Sequence, residues 1–569
     1  MPCQREREVR NLDSIGIANF STSTKYRILL GHFNNKTKKE TIVSSYMEEK
    51  RVAIIGAGIS GLLACKYTLE KGLIPIVFEA SNCIGGVWNQ TIESTRLQSP
   101  KRTFVFTDFP WPRSVRGRYP HNTDVLKYVD AYAQHFGLIP YIQLKTKVIG
   151  IDYVGIPDEE MDSWDFWSGN GKPFGSEGKW QILVQHEDFT TQEYEVEFLI
   201  LCIGRYSGLA NMPEFPLGEG PDVFAGKVIH SMEYSSMDNE SARELIKGKR
   251  VVVIGSQKSA IDIAAECANA NGPEIPCTLV QRTIAWAIPN GCFWWGISLG
   301  FLYGSRFSEL LVHKPDQNII YSALASLFSP VRWGFSKFVE SYLRWNLPLK
   351  KYNMVPKHSF LQDISSCKAF LLPDNFYGKV EEGSIVLKKI QCFSFCKQGL
   401  IIDGEVDKPI KADLVIFATG YKGQEKLKNM FSSKSLQNHI MGSPNSIVPL
   451  YRHIIHPRIP NLAIIGYSGS ITNLHTSEMR CQWLAHFLDQ TFKLPSIKEM
   501  EKEIQKWENY MKKYAGKEYK RACIAALHIW YNEQLCKDIG CNTRRKKNFY
   551  DEWFQPYMQA DYVRLSPNN

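Results

Sequence analysis

Short apolar runs alternate with glycine turns along this chain, and one order of elements occurs twice. Arg51-Val52-Ala53-Ile54-Ile55 is an apolar, mostly β-branched run of strand length. It leads into Gly56-Ala57-Gly58-Ile59-Ser60-Gly61 and then an apolar helical pattern through Leu69. A second strand, Ile76-Val77-Phe78, ends on Glu79. Strand, glycine turn, helix and strand in that order predict the opening of a doubly wound parallel sheet. The plan starts again at Arg250. The strand is Val251-Val252-Val253-Ile254, the turn is Gly255-Ser256-Gln257-Lys258-Ser259-Ala260, and a helix follows through Cys267. The next strand, Thr278-Leu279-Val280-Gln281, ends on Arg282.

Two further apolar runs end on glycine, Phe198 to Gly204 and Asp413 to Tyr421. Segments of this kind carry a chain across the boundary of an inserted domain. They predict α/β architecture with two Rossmann-like dinucleotide-binding domains of glutathione-reductase type, the second inserted into the first. The expected boundaries are a disordered leader at 1–50, a first domain at 51–204, and the inserted domain at 205–424 with an insertion near 291–360. The first domain resumes at 425–496 with strand Leu462-Ala463-Ile464-Ile465-Gly466. A helical region rich in Lys, Tyr and Trp closes the chain at 497–569.

The turns carry the chemistry. In the first, Gly56 permits the tight turn, Gly58 lets the backbone approach a pyrophosphate, and Gly61 lets helix and strand pack closely. The helix start offers N–H groups and a positive dipole end to phosphates, with Ser60 among them. Glu79 at the end of the next strand can accept from ribose hydroxyls, which completes a dinucleotide site. In the second turn Gln257 takes the middle-glycine place and Ala260 the third. The approach to phosphate is then less close, because Gln257 has a Cβ. Arg282 stands where an NAD site carries an acid, and a guanidinium suits a 2′-phosphate. Gly255, Ser256, Lys258, Ser259 and Arg282 therefore outline an NADPH site.

Composition narrows the rest. The 569 residues exceed one compact core. The net charge of +10 would suit acidic partners, but the basic residues are scattered and the one tight cluster, Arg544 to Lys547, is short. Nucleic acid is not expected as a partner. The 14 cysteines show no C-x-x-C pair, Cys392 and Cys396 standing closest to it, so the chain reads as reduced and intracellular and lacks a reductase dithiol. His453 and His456 have metal-like spacing without a neighbouring Cys or carboxylate and read as packed side chains; no metal is expected. Residues 1–46 suit a disordered leader or a transit peptide, or translation starting at Met47. No run reaches the roughly 18 apolar residues of a spanning helix. The most apolar stretch, Phe293 to Tyr303, suits a buried insertion or contact with a membrane surface. The expected location is cytoplasmic or endoplasmic-reticulum-associated.

Between the two turns, Phe224, Gly226, His230 and Tyr234 fill F-x-G-x-x-x-H-x-x-x-Y, the signature of flavin-containing monooxygenases. Ala418-Thr419-Gly420-Tyr421 resembles the same family's A-T-G-Y, Gly85-Gly86-Val87-Trp88 its flavin-proximal G-G-x-W, and Asp108 to Pro112 its D-F-P-x-P segment. The resemblance runs in the expected order over 51–495. It implies FAD and NADPH as cofactors, with Gly86, Thr419 and Gly420 beside them. It also implies O2 as co-substrate, and one oxygen placed on a nucleophilic N or S through a C4a-hydroperoxyflavin. Trp88 and Gln98 are implied as the catalytic pair near the flavin, Gln98 standing where animal members place an Asn. His230 reads as a linker residue and not as a base. Leu97 to Ser99, Phe328 to Val331, Ser341 to Leu343 and Lys357 to Phe360 resemble the plant branch of immune signalling and systemic acquired resistance, whose known member N-hydroxylates pipecolic acid. Rival readings are a Baeyer–Villiger enzyme, which typically carries Trp in place of Tyr234, an auxin-forming keto-acid monooxygenase, and a flavin redox sensor without turnover.

Overall fold

The computed structural model describes residues 50–289 and 291–567; the leader reading of 1–50 falls almost entirely on residues outside these. Two parallel five-stranded sheets organise the chain, one for each glycine turn. The first runs in the order Leu462–Ile464, Phe198–Leu201, Arg51–Ile55, Ile74–Phe78, Ile142–Gln143. Its inner strands are apolar on both faces because both are covered, as parallel sheets require. Val52, Ala53 and Ile54 are fully buried. One face packs on the helices Ile59–Leu69, Asn122–His135 and Asn473–Leu488. The other packs on an antiparallel sheet of Thr146–Val154, Lys179–His186 and Thr191–Val196. Trp180 is buried between these layers and its indole N–H donates to the Asn461 carbonyl at 2.9 Å. Truncating it to Ala would cost about 3–5 kcal/mol.

The second sheet runs Ile385–Lys389, Cys277–Gln281, Val251–Ile254, Leu414–Phe417, Lys227–His230, again all parallel. The helix Lys258–Asn271 packs on it through Ala260, Ile261, Ile263 and Ala264. Strands thus leave the first sheet after Phe198–Leu201 and return to it only at Leu462–Ile464.

The outgoing and returning chains touch where they cross. Ala210 pairs with Tyr421 in an antiparallel bridge, the Asn211 N–H donates to the Gly420 carbonyl at 3.0 Å, and the Lys422 N–H donates to the Leu209 carbonyl at 2.9 Å. Lys426 clasps the crossing. Its ammonium donates to the carbonyl of Ile203 at 2.5 Å and to the Ser207 hydroxyl at 3.0 Å, and burial pulls its pKa down to about 8.

The excursion read at 291–360 is wider. It leaves at Ala287–Ile288 and closes where Phe370–Leu371 pairs with that strand in parallel. Its α-helices are Leu299–Tyr303, Arg306–Leu310, Ile319–Leu327, Ser329–Asn346 and Phe360–Ser365. The closing region is helical as its pattern predicts, with Ile497–Ala515, His528–Ile539 and Phe549–Phe554. The longest opens on a capping box between Ser496 and Glu499. One cysteine pairing departs from the sequence reading. Cys367 and Cys523 form a disulfide across a separation of 156 residues, a proximity that spacing along the chain cannot reveal. His453 and His456 are buried; burial keeps both neutral, and the His456 Nε2 faces the His439 carbonyl at 2.8 Å.

Candidate functional site: two nucleotide turns and the loop between them

Each glycine of the first turn answers a different constraint. Gly56 has φ +101°, and a Cβ there would stand 2.7 Å from the Cys202 carbonyl oxygen. A Cβ on Gly61 would collide with the Gly56 carbonyl, so the helix could not pack on its own turn. Gly58 is different. Its backbone is extended (φ −74°, ψ −177°), and a Cβ there would meet only Gly86, at an ordinary 3.6 Å. Nothing within the protein requires glycine at 58. A ligand lying over the turn does. Gly58 also caps the helix Ile59–Leu69 with no side chain satisfying the first N–H groups, so these remain available to an anion. The Ser60 hydroxyl is engaged with Ser477 at 3.0 Å, which leaves its backbone as its means of contact.

Glu79 closes the far side of the turn. Its carboxylate accepts from the N–H of Ala57 at 2.7 Å and of Ser81 at 2.9 Å. The Gly85 N–H donates to the Ala57 carbonyl at 3.0 Å, which brings the short helix Gly86–Trp88 against Gly58. Trp88 is half-buried and meets Phe104 edge to face at 5.8 Å. Gln98 is exposed, one residue beyond the buried Leu97 whose N–H donates to the Pro120 carbonyl. Trp88 and Gln98 thus flank one loop, 89–97. Asp108 pairs with the buried Lys66 at 2.5 Å, and the Thr107 hydroxyl donates to Glu478 at 2.8 Å. Burial pushes Glu478 up to about 7. No motif announced Lys66 or Glu478; Lys66 stands out only as a charge on an otherwise apolar helix, and Glu478 lies on a helix that buries several polar residues.

The second turn is looser. Gly255 lies against the Ala418 carbonyl, where a Cβ would clash, and the Gly255 N–H donates to the Val280 carbonyl at 3.0 Å. Gln257 takes an allowed extended backbone (φ −110°) and caps the helix Lys258–Asn271, again without a side-chain cap. Ser256 approaches Thr283 at 3.5 Å and Ser259 is exposed. Arg282 is exposed at the end of Cys277–Gln281 and has no ion-pair partner among the described residues. Lys258, read from the sequence as a coenzyme contact, has its ammonium paired with Asp262 at 2.6 Å, one turn along its own helix, and burial raises that acid to about 6. Thr419 and Gly420 lie in the chain crossing, the Thr419 hydroxyl donating to the Asn211 carbonyl at 2.5 Å.

The signature residues are structural here. A Cβ on Gly226 would strike the Phe224 ring and the Asp413 carbonyl, and Phe224 packs on Phe395. His230 ends the strand Lys227–His230, and its Nδ1 caps the helix Ser231–Ser236 by accepting from the Met232 N–H at 3.1 Å. Burial lowers its pKa, so it stays neutral and touches no described polar group that it could deprotonate. The Tyr234 hydroxyl donates to Glu266 at 3.0 Å, a partner 32 residues away that no spacing rule exposes. Among the described residues no three His, Cys, Asp or Glu cluster to hold a metal, and no helix is long and apolar enough to cross a membrane.

The comparisons with known proteins agree with this geometry. The family model "Flavin-binding monooxygenase-like" matches residues 49–549. "Probable flavin-containing monooxygenase 1" of Arabidopsis thaliana is 40% identical, over 91% of this chain and 96% of its own. "Flavin-containing monooxygenase 5" of Rattus norvegicus is 30% identical, over 87% of this chain and 83% of its own. The solved structure "Oxidized steroid monooxygenase bound to NADP" superposes with a TM-score of 0.59 at 18% identity, over 85% of this chain and 96% of that one. Its likeness supports the fold: two parallel sheets with a helical closing region. An extended Gly58 open to a ligand, two uncapped helix starts and an unpaired Arg282 fit two dinucleotides, and on that ground together with the match along nearly its whole length the chain belongs to the flavin-binding monooxygenase-like family, as an enzyme whose cofactors are FAD and NADPH.

Proposed function

We propose that this monooxygenase N-hydroxylates a small cyclic amino acid such as pipecolate, as a step of plant defence. The nearly full-length likeness to a plant flavin-containing monooxygenase carries the reading, joined to the plant-type stretches at 97–99, 328–331, 341–343 and 357–360. When bound, FAD would take electrons from NADPH and activate O2, the source of the inserted oxygen atom. The chain's residues do the holding. The N–H groups after Gly58 take the FAD pyrophosphate and Glu79 takes its ribose. The helix start after Gln257 takes the coenzyme phosphates, and Arg282 takes the 2′-phosphate. Trp88 walls the flavin site, and the Gln98 carboxamide, held by no described residue, is free to bond what forms there. Neither His230 nor a dithiol has a part in this reaction.

The test is incubation with NADPH, O2 and a panel of pipecolate, a thioether and a ketone, followed by mass spectrometry. Hydroxylated pipecolate, gaining one oxygen per NADPH, is expected. An ester from the ketone would favour the Baeyer–Villiger rival, and a product from an α-keto acid the auxin-forming one. NADPH oxidation matched by no product would leave the sensor reading.

We also infer peripheral contact with a membrane surface from the cytoplasmic side, as at the endoplasmic reticulum. The excursion displays Trp295, Ile319, Leu327, Trp333 and Trp345, all more than 60% exposed, with Lys337 and Arg344 among them. Interfacial Trp flanked by basic residues is the pattern of a surface-bound helix. Flotation with anionic vesicles should carry the protein, and replacing the three Trp with Ser should leave it at the bottom; unchanged flotation would refute the contact.

A further inference from the structure

Glu266 sits on the helix Lys258–Asn271, whose first residues form the NADPH turn. Its two carboxylate oxygens face different parts of the molecule. Oε2 accepts from the Tyr234 hydroxyl at 3.0 Å, within the second sheet's region. Oε1 accepts from the Ser94 N–H at 2.9 Å, and Ser94 belongs to the loop 89–97 between Trp88 and Gln98. The same loop is tied twice more. Glu93 pairs with Arg243 at 2.8 Å, and Ile92 is buried in the apolar core beneath the helix, against Tyr234 and Ile246 among others. Beside these ties opens a cleft of about 310 Å3, lined by Glu93, His121, Met237, Arg243 and Glu266. The two sheets are also joined through the chain crossing at 204–211 and 419–422 and through the excursion, which is bonded to the closing helical region by Cys367–Cys523 and by the Lys368–Glu518 pair.

We propose that Glu266 is a positioning residue for hydride transfer: it latches the NADPH-turn helix to the flavin-side loop, so that the two cofactors are held in one register. The idea rests on the cofactor assignment above. The ties at Ile92, Glu93 and Ser94 act directly on the loop between Trp88 and Gln98, at the rim of the open cleft. Burial and the adjoining Glu266 hold the Tyr234 phenol protonated, which fixes it as donor and leaves the carboxylate as acceptor for both partners. This gives the signature tyrosine a task that no spacing showed. Through Glu266 it helps to order the loop whose Ile92 shares its core.

Two readouts test the latch, one without cofactor turnover. In hydrogen exchange the Ser94 amide should be protected in the wild type and should exchange faster in Glu266→Ala, with or without NADPH. In anaerobic stopped flow at saturating NADPH, Glu266→Ala should slow flavin reduction by about tenfold or more, since small misplacements of reacting groups are costly. NADPH affinity and FAD content should stay close to wild type, and Glu266→Gln should recover most of the rate. Should Glu266→Ala fail to fold, the charge-reversed pair serves. Glu93→Arg or Arg243→Glu alone should slow reduction, and the double variant should restore it. Wild-type reduction rates in fully loaded Glu266→Ala, a rate loss that merely tracks weaker NADPH binding, or no recovery in the double variant would overturn the proposal. A wild-type flavin that NADPH does not reduce would instead sink the cofactor assignment beneath it.

Discussion

The two nucleotide turns share a plan and differ in how tightly the sequence specifies them. In the first, three glycines meet three distinct demands: a positive φ at Gly56, a helix pressed on its own turn at Gly61, and a ligand at Gly58. In the second, only Gly255 remains, Ala260 replaces the packing glycine, and Gln257 places a side chain where Gly58 has none. The ends of the partner strands carry opposite charge, Glu79 buried and bonded, Arg282 exposed and without an ion-pair partner among the described residues. A turn closed around its ligand suits a cofactor that stays. A looser turn with one strong charged contact suits a coenzyme that arrives, delivers a hydride and leaves.

That contrast can be broken first at its tight end. Gly61→Val should remove flavin and fold together, because the side chain has no space against Gly56. Gly58→Ala should separate the two effects. Its Cβ fits the protein, so the melting temperature should stay near wild type while FAD content falls sharply. Absorbance at the flavin band and a thermal melt read both. A yellow, fully loaded Gly58→Ala protein would show that the pyrophosphate does not cross this turn.

The looser turn should yield a smaller loss. Arg282→Ala should cost about 1.5–3 kcal/mol of NADPH binding, the range for a hydrogen bond to a charged group, with NADH little affected. An unchanged NADPH-to-NADH ratio of kcat/KM would contradict the assignment. Gln98→Leu should act between the turns. It should raise H2O2 released per NADPH oxidised while NADPH affinity holds, and equal release would remove Gln98 from the site. The smallest effect is expected at Lys258. Its ammonium already pairs with Asp262, so Lys258→Met should change NADPH affinity far less than Arg282→Ala does, its main cost being stability lost at the buried Asp262 left without a partner. A loss as large as that of Arg282→Ala would return Lys258 to the phosphates.

Much of the fold was legible because parallel strands buried on both faces are apolar throughout. Val251 to Ile254 and Phe198 to Leu201 stand out for that reason, and each ends on a backbone feature that only a few residues tolerate. The motif residues of both turns follow from the same local rules. What stayed hidden depends on contacts between distant segments. The wider excursion from Ile288 to Phe370 is closed by a two-residue strand pair too short to leave a pattern. The Cys367–Cys523 bond, the Lys66–Asp108 pair and the tie from Tyr234 through Glu266 to Ser94 join residues that no period relates. The Lys258–Asp262 pair spans one helical turn and is of a kind that i, i+4 spacing does expose.

The central claim is that both turns serve one reaction, in which NADPH electrons and O2 place a single oxygen atom on a nucleophilic nitrogen. The most direct measurement supplies isotopically labelled O2 and follows NADPH, O2 and product together with pipecolate as substrate. The account predicts one labelled oxygen in the hydroxylated product for each NADPH and each O2 consumed. Unlabelled product, or NADPH consumption that ends wholly in H2O2 with pipecolate untouched, would contradict it.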